Sequence, residues 1–207
     1  MSPSLAITLL RHGRSRADDE RVHEGRYDSP LTDVGRAQVR VRAEGFKAAG
    51  FRVDVVVASP LVRARETAEI VAAAIGAPVE VDPDWMEVDA GLLAGLPYEV
   101  AQERFPLPGF RNPYEPWAVT GESEAELHCR AIRATERVVR RGAGAYLVVA
   151  HGGVINAALR GLMGAPLPVN LKHGFWLRLG DTAFARLGYR PAEHAWILEE
   201  FNPGVVA

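Results

Sequence analysis

Two short apolar runs, Leu5–Leu10 and Ala145–Ala150, each end in a histidine followed by glycine, and this pair of endings restricts the fold more than any other part of the chain. The first, LAITLL, is almost continuously apolar, the pattern of a strand covered on both faces in a parallel sheet; a strand half exposed to water alternates instead. It closes with Arg11, His12 and Gly13. The second, AYLVVA, closes with His151, Gly152 and Gly153 ahead of a helix expected from about Val154 to Met163. Ligands of open α/β sheets bind beyond the carboxyl ends of the strands, where a glycine lets the backbone turn and bring its N–H to an anion. An Arg-His pair at that edge points to a phosphate site.

Between these runs the spacing predicts further α/β alternation. Thr32 is an N-cap for a helix from Asp33 to about Ala49 with an apolar stripe of Val34, Ala37 and Val41. Val53–Ala58 reads as a second strand, and Ser59-Pro60 as an N-cap with proline at the first helical position of a helix to Ile75. Arg63 then falls in the first turn, beyond a strand end as Arg11 is. After a short strand at Val79 and Val81, the glycine-punctuated loop Asp82–Leu96 carries Asp84, Glu87 and Asp89, any one of which suits a general acid. Pro97–Gly121 holds Pro97, Pro106, Pro108, Pro113 and Pro116 among aromatic side chains, so one helix near Tyr98–Phe105 is expected and little else regular. Such a segment is either a cap over a site or a packed surface excursion. Ser123 and Glu126 form a capping box for a helix to about Arg141, with Leu127, Ala131, Ala134 and Val138 at core spacing. Gly174–Leu179, Thr182–Leu187 and Trp196–Phe201 read as strands, with turns at Gly180-Asp181 and Gly188–Pro191.

With 207 residues, 48% of them hydrophobic, the chain can bury a core the size of one domain. A formal net charge of −2 gives no electrostatic case for nucleic acid or an anionic membrane as partner, so an anion site must be local. Cys129 is the single cysteine, which excludes an intramolecular disulfide and suits a reducing compartment; inside a helix it reads as a small packing residue. The N-terminal apolar run is too short for a secretory h-region or a membrane span. A cytoplasmic protein is expected. His23, His128, His173 and His194 show no pairing at metal-ligand spacing, so no metal is expected.

In order and spacing, LRHGRS at Leu10–Ser15, DSPLTDVGRAQ at Asp28–Gln38, SPLVRARETA at Ser59–Ala68, MEVDAGLLAGL at Met86–Leu96, GES at Gly121–Ser123 and VVAHGGVI at Val148–Ile155 resemble the histidine phosphatase superfamily, also called phosphoglycerate mutase-like. The resemblance covers nearly the whole chain. It implies a three-layer α/β/α sandwich with a mostly parallel central sheet, one domain over residues 1–207, and 97–121 as a cap insertion. It implies His12 as nucleophile, Glu87 as proton donor, and Arg11, Arg63 and His151 as the phosphate pocket, joined by Gly13 and Ser15. Arg111 and His173 are candidates for substrate contact from the cap side.

These residue types suit phosphoryl transfer. A phosphate monoester carries nearly two negative charges, which arginine forks meet before a nucleophile approaches. His12 must attack through an unprotonated nitrogen, its other nitrogen held by an acceptor that the sequence does not name. Glu87 then protonates the leaving oxygen, and His151 as an imidazolium steadies the phosphoryl group in flight. No cofactor is called for. The expected activity is that of an acid-type histidine phosphatase acting on a small phosphorylated metabolite through phosphohistidine. A phosphoglycerate mutase is the alternative within the fold, although the chain is short after Glu87 and at its C-terminus; a catalytically weak phospholigand-binding protein is the alternative outside enzymes. No G-x-G-x-x-G opens a helix, against a dinucleotide binder. A homodimer stays open. Asp18, where the family usually has asparagine, is the sharpest departure: close to a phosphate it repels unless turned away, protonated or paired with Arg14 or Arg16.

Overall fold

The computed structural model describes residues 5–106, 108–169 and 175–205. Its strands β1 (Leu5–Arg11), β2 (Val55–Ala58), β3 (Val79–Val81), β6 (Gly144–Ala150), β7 (Phe184–Arg190) and β8 (Ala195–Asn202) form a six-stranded sheet in the order β3-β2-β6-β1-β7-β8. The first four are parallel, and β7 and β8 add an antiparallel edge. Strand alternation divides the core in two. Leu5, Ile7, Leu9, Val57 and Val148 face the helices α5 (Glu124–Val139) and α6 (Gly152–Leu162). Leu10, Val56, Ala58, Leu147 and Val149 face α2 (Asp33–Ala48) and α3 (Val62–Ile75). The result is the expected three-layer sandwich, with aliphatic side chains buried on both faces at about 1.5–3 kcal/mol each. No helix of the described residues is long and apolar enough to cross a membrane.

The capping signals hold at two helices. Thr32 Oγ1 accepts from Gly35 N at 3.0 Å, and Ser123 forms both arms of its capping box with Glu126. Other expectations are corrected. Val34 and Val41 face solvent, because α2 has a second apolar stripe, Val39, Ala43 and Phe46, whose larger area packs on the sheet. Helix α3 begins at Val62 with Leu61 as its N-cap, since Ser59 is still continuous with β2. Residues 175–179 are not a strand, and Gly188 lies within β7, the turn falling instead at Pro191–His194. Cys129 is exposed on α5, not packed. Between Pro97 and Gly121 the expected helix is present as α4 (Tyr98–Arg104), but a small hairpin of β4 (Pro116–Ala118) and β5 (Thr120–Ser123) also forms. The segment's inner face, Ala101, Phe105 and Ala118, packs on Ala90 and Leu93 of the loop that bears Glu87.

Candidate active site

The site follows from the sheet register. Arg11 pairs with Ala150 and Ala58 with Val149, so β2, β6 and β1 end side by side and present Ser59, His151 and His12 in a row. The His12 and His151 rings meet edge to face with centroids 5.0 Å apart, both fully buried. His12 Nδ1 donates to its neighbour Gly13 O at 2.7 Å, the acceptor the sequence left unnamed. That bond fixes the tautomer and leaves the Nε2 lone pair facing inward. Burial, followed by the charges of Arg63 and Arg11, pushes His12 well below the usual histidine range, so Nε2 is unprotonated at neutral pH.

Arg63 reaches this nitrogen from the first turn of α3. Its Nε lies 3.3 Å from His12 Nε2, while its terminal nitrogens donate to Tyr27 O at 3.0 Å and Gly25 O at 2.8 Å. The guanidinium therefore pins the loop 24–27 to the site, and each terminal nitrogen keeps a second N–H. Arg11 donates to Leu179 O at 2.6 Å and sits 3.6 Å from Asp181, but its Nε is buried with no hydrogen-bond partner among the described residues. His151 Nε2 meets Ser59 Oγ at 2.8 Å, and its Nδ1 is likewise buried with no partner among the described residues. Burial together with Arg63 holds His151 well below its usual range, so in this state the ring is neutral rather than the expected imidazolium. A dianion against it reverses that sign.

Glu87 comes from the far side. Its Oε2 accepts from Gly153 N at 2.8 Å, and its Oε1 from Val154 N at 3.0 Å and Val88 N at 2.8 Å, so the carboxyl caps the N-terminus of α6. The loop is clasped by Arg130 of α5, which makes a bidentate pair with Glu122 at 2.7 Å per arm and donates to the carbonyls of Asp84, Met86 and Glu87. Arg26 adds a longer bond to Glu87 O and an ion pair with Asp89.

The remaining expected residues are placed differently. Gly13 N points at Thr67 Oγ1 at 3.4 Å, and glycine is required there because an added Cβ lies 2.7 Å from Gly35 O. The Ser15 hydroxyl lies between Glu24 Oε1 at 2.5 Å and Asp18 Oδ2 at 3.0 Å. Asp18 caps the short helix α1 (Arg16–Glu20) through Ser15 N and approaches Arg11 at 3.9 Å. Its expected partners Arg14 and Arg16 pair with Asp19 and Glu20 instead. Arg111 turns inward to the buried Glu124, which also pairs with Arg160. His173 lies outside the described residues.

Glu24 and Arg130 carry no signal of a site role in the sequence, and Ser59 and Glu122 lie in the matched segments without a role assigned to them. Ser59 read as a cap, Arg130 as one arginine among many, and Glu24 as one charge in a polar loop.

A profile of the histidine phosphatase superfamily (branch 1) matches residues 7–202. A Yersinia enterocolitica protein described as a probable phosphoglycerate mutase GpmB is 31% identical over 202 residues, covering 94% of this chain and 91% of its own. A Bacillus subtilis protein described as an uncharacterized phosphatase PhoE is 29% identical, covering 95% and 94%. Among solved structures, a mycobacterial glucosyl-3-phosphoglycerate phosphatase bound to VO3 is similar in fold with a TM-score of 0.79 at 24% identity, covering 95% of this chain and 98% of that one. With its profile match running from β1 to β8, the chain belongs to the histidine phosphatase superfamily.

Proposed function

We propose that the protein is a phosphomonoesterase that hydrolyses a small phosphorylated metabolite through a phosphohistidine on His12. The observation that carries this is the Nε2 atom of His12, its tautomer fixed by Gly13 O, lying 3.3 Å from Arg63 Nε with the His151 ring 5.0 Å away, while Arg11 Nε and His151 Nδ1 are buried with no partner among the described residues. A tetrahedral anion gives Arg11 Nε and His151 Nδ1 the partner they lack, each otherwise left unsatisfied at a cost of about 1–3 kcal/mol, and takes over the Arg63 Nε donor from His12 and Glu24.

In the first half-reaction His12 Nε2 attacks phosphorus, the P–O bond to the substrate breaks, and the leaving oxygen takes a proton from Glu87. In the second, Glu87 takes a proton from water, the resulting oxygen attacks phosphorus, and the N–P bond breaks. To act, Glu87 releases at least one of the α6 amides it holds. His151 takes up charge as the dianion binds and stabilises the phosphoryl group in flight. The segment 97–121 acts as a cap, joined to the turn ahead of Glu24 by the backbone bond from Tyr98 N to Arg21 O. Burial and the charges of Arg63 and Arg11 hold His12 below the usual histidine range, which supports the acid-type reading.

The names of the two relatives divide between mutase and phosphatase, so the test separates those activities. Purified protein is offered a panel of sugar phosphates, phosphoglycerates, nucleotides and phosphoamino acids, with phosphate release and phosphoglycerate isomerisation followed together. Release that is abolished in His12→Ala supports the proposal; isomerisation without release, or turnover retained in His12→Ala, overturns it.

A further inference from the structure

One half-buried side chain beside His12 is not used by the mechanism. Glu24 Oε1 lies 3.2 Å from Arg63 Nε and its Oε2 lies 3.8 Å from His12 Nε2. A phosphorus atom poised for attack sits about 3–3.5 Å from the attacking nitrogen, with its oxygens beyond. Glu24 Oε2 therefore lies within reach of a phosphoryl oxygen, and Oε1 shares the Arg63 donor that the anion needs.

The hydrogen count is informative. Ser15 Oγ has one proton, yet lies within hydrogen-bonding distance of both Glu24 Oε1 and Asp18 Oδ2. If both carboxyls are ionised, one of these short oxygen–oxygen contacts has no proton in it. Asp18 Oδ2 already takes the Ser15 N–H as part of the α1 cap. A proton on Glu24 completes the chain, from Glu24 to Ser15 Oγ to Asp18.

We propose that Glu24 is a specificity-determining residue of the anion pocket: the site takes a tetrahedral dianion together with one proton, which is carried on the Glu24 carboxyl. Neutral Glu24, its proton held on Ser15 Oγ, gives up its share of Arg63 and no longer repels the anion; ionised Glu24 repels the dianion and competes for that arginine. The groups facing it are Arg11 and His12 from the end of β1, Ser15 and Asp18 from the turn and α1, Arg63 from α3 and Tyr98 from α4. Among these, burial outweighs the attraction of Arg63 and raises Glu24 to about 7, so the proton is exchanged near neutrality. The proposal deepens the phosphomonoesterase reading and rests on it for the location of the phosphate.

Sulfate tests this, because it is a tetrahedral dianion throughout the range in which phosphate itself titrates. Its binding to the wild type is expected to weaken about tenfold between about pH 6 and about pH 8, as Glu24 comes to require protonation before the anion enters. In Glu24→Gln that tenfold factor disappears, while any slope from the charging of His12 and His151 remains in both proteins. Calorimetry of the wild type in buffers of different ionisation enthalpy gives a second measurement that needs no variant: uptake of protons on sulfate binding at about pH 8 that exceeds the uptake at about pH 6. Parallel slopes in the two proteins, no such excess, or no sulfate binding at either pH overturns the proposal. Sulfate binding is independent of turnover. Proton-coupled binding in a protein that hydrolyses no monoester removes the catalytic reading and keeps the role of Glu24; an active phosphatase with uncoupled binding does the reverse.

Discussion

Replacing Arg130 with methionine separates fold from chemistry in a way that few other substitutions here do. The guanidinium is buried, and it bridges the carboxylate of Glu122 and the carbonyls of Asp84, Met86 and Glu87. Removing one partner of a buried, hydrogen-bonded pair costs about 3–5 kcal/mol, mostly because the other charge is left desolvated. For a chain of this size that lowers Tm by about 6–20 °C, out of a total stability of about 5–15 kcal/mol. The double variant Arg130→Met, Glu122→Leu removes the stranded carboxylate and is expected to recover more than half of the loss, leaving the unpaired carbonyls and the Asp89 N–H that Glu122 accepts. Activity should not recover with it, since those carbonyls belong to the loop that aims Glu87. Calorimetric melting gives the stability arm. Steady-state kinetics on an alkyl phosphate and on nitrophenyl phosphate give the chemical arm, with kcat on the alkyl substrate falling further because its leaving oxygen needs the proton. A drop in Tm of less than about 2 °C for the single variant, or full recovery of alkyl-phosphate turnover in the double variant, refutes the assignment of Arg130 as the residue that holds this loop.

Other consequences are as direct. Glu87→Gln keeps one acceptor oxygen in place of two, so it loses one of the α6 amide bonds, and it has no acidic proton to give, so turnover should fall much more on alkyl phosphates than on nitrophenyl phosphate; equal losses contradict its role as acid. Glu24 is raised in the fold, so it contributes stability that is complete below its unfolded pKa and is lost as pH rises through about 7, in all about 3 kcal/mol. About 2 kcal/mol of this should be lost between about pH 5.5 and about pH 8. Urea unfolding of the wild type and of Glu24→Gln should differ by that amount across the window, and parallel curves contradict it. Gly13→Ala forces a methyl against Gly35 O and Val39, so it should destabilise by about 1–3 kcal/mol and displace the adjacent His12; an unchanged melting curve with unchanged activity contradicts the close packing. Ser123→Ala removes an N-cap and should cost about 1 kcal/mol in urea unfolding, and a loss of less than about 0.3 kcal/mol argues against the capping box as a source of stability.

The fold was legible where signals were local and redundant. LAITLL and AYLVVA are apolar at every turn of the pleat because they are covered on both faces, and the Thr32 and Ser123 caps mark helix starts within a residue. Legibility failed where two local patterns competed. The stripe Val34, Ala37, Val41 and the stripe Val39, Ala43, Phe46 both have helical spacing, and only tertiary packing decides which is buried. The β4–β5 hairpin escaped notice because its strands are three and four residues long and are interrupted by Pro116 and Gly121. In the site, the histidines and Arg63 could be placed because each lies at a fixed offset from a strand end. Glu24 and Arg130 could not: one lies in a loop and one in mid-helix, and what they do depends on Arg63, on Ser15 and on backbone carbonyls more than forty residues away.

The central claim is that His12 Nε2 carries the phosphoryl group, and covalent trapping tests it most directly. Protein mixed with labelled substrate and quenched rapidly in alkali should hold label that survives base, is released by acid, and maps to the peptide containing His12. Label that survives acid, or label on any other residue, contradicts the account.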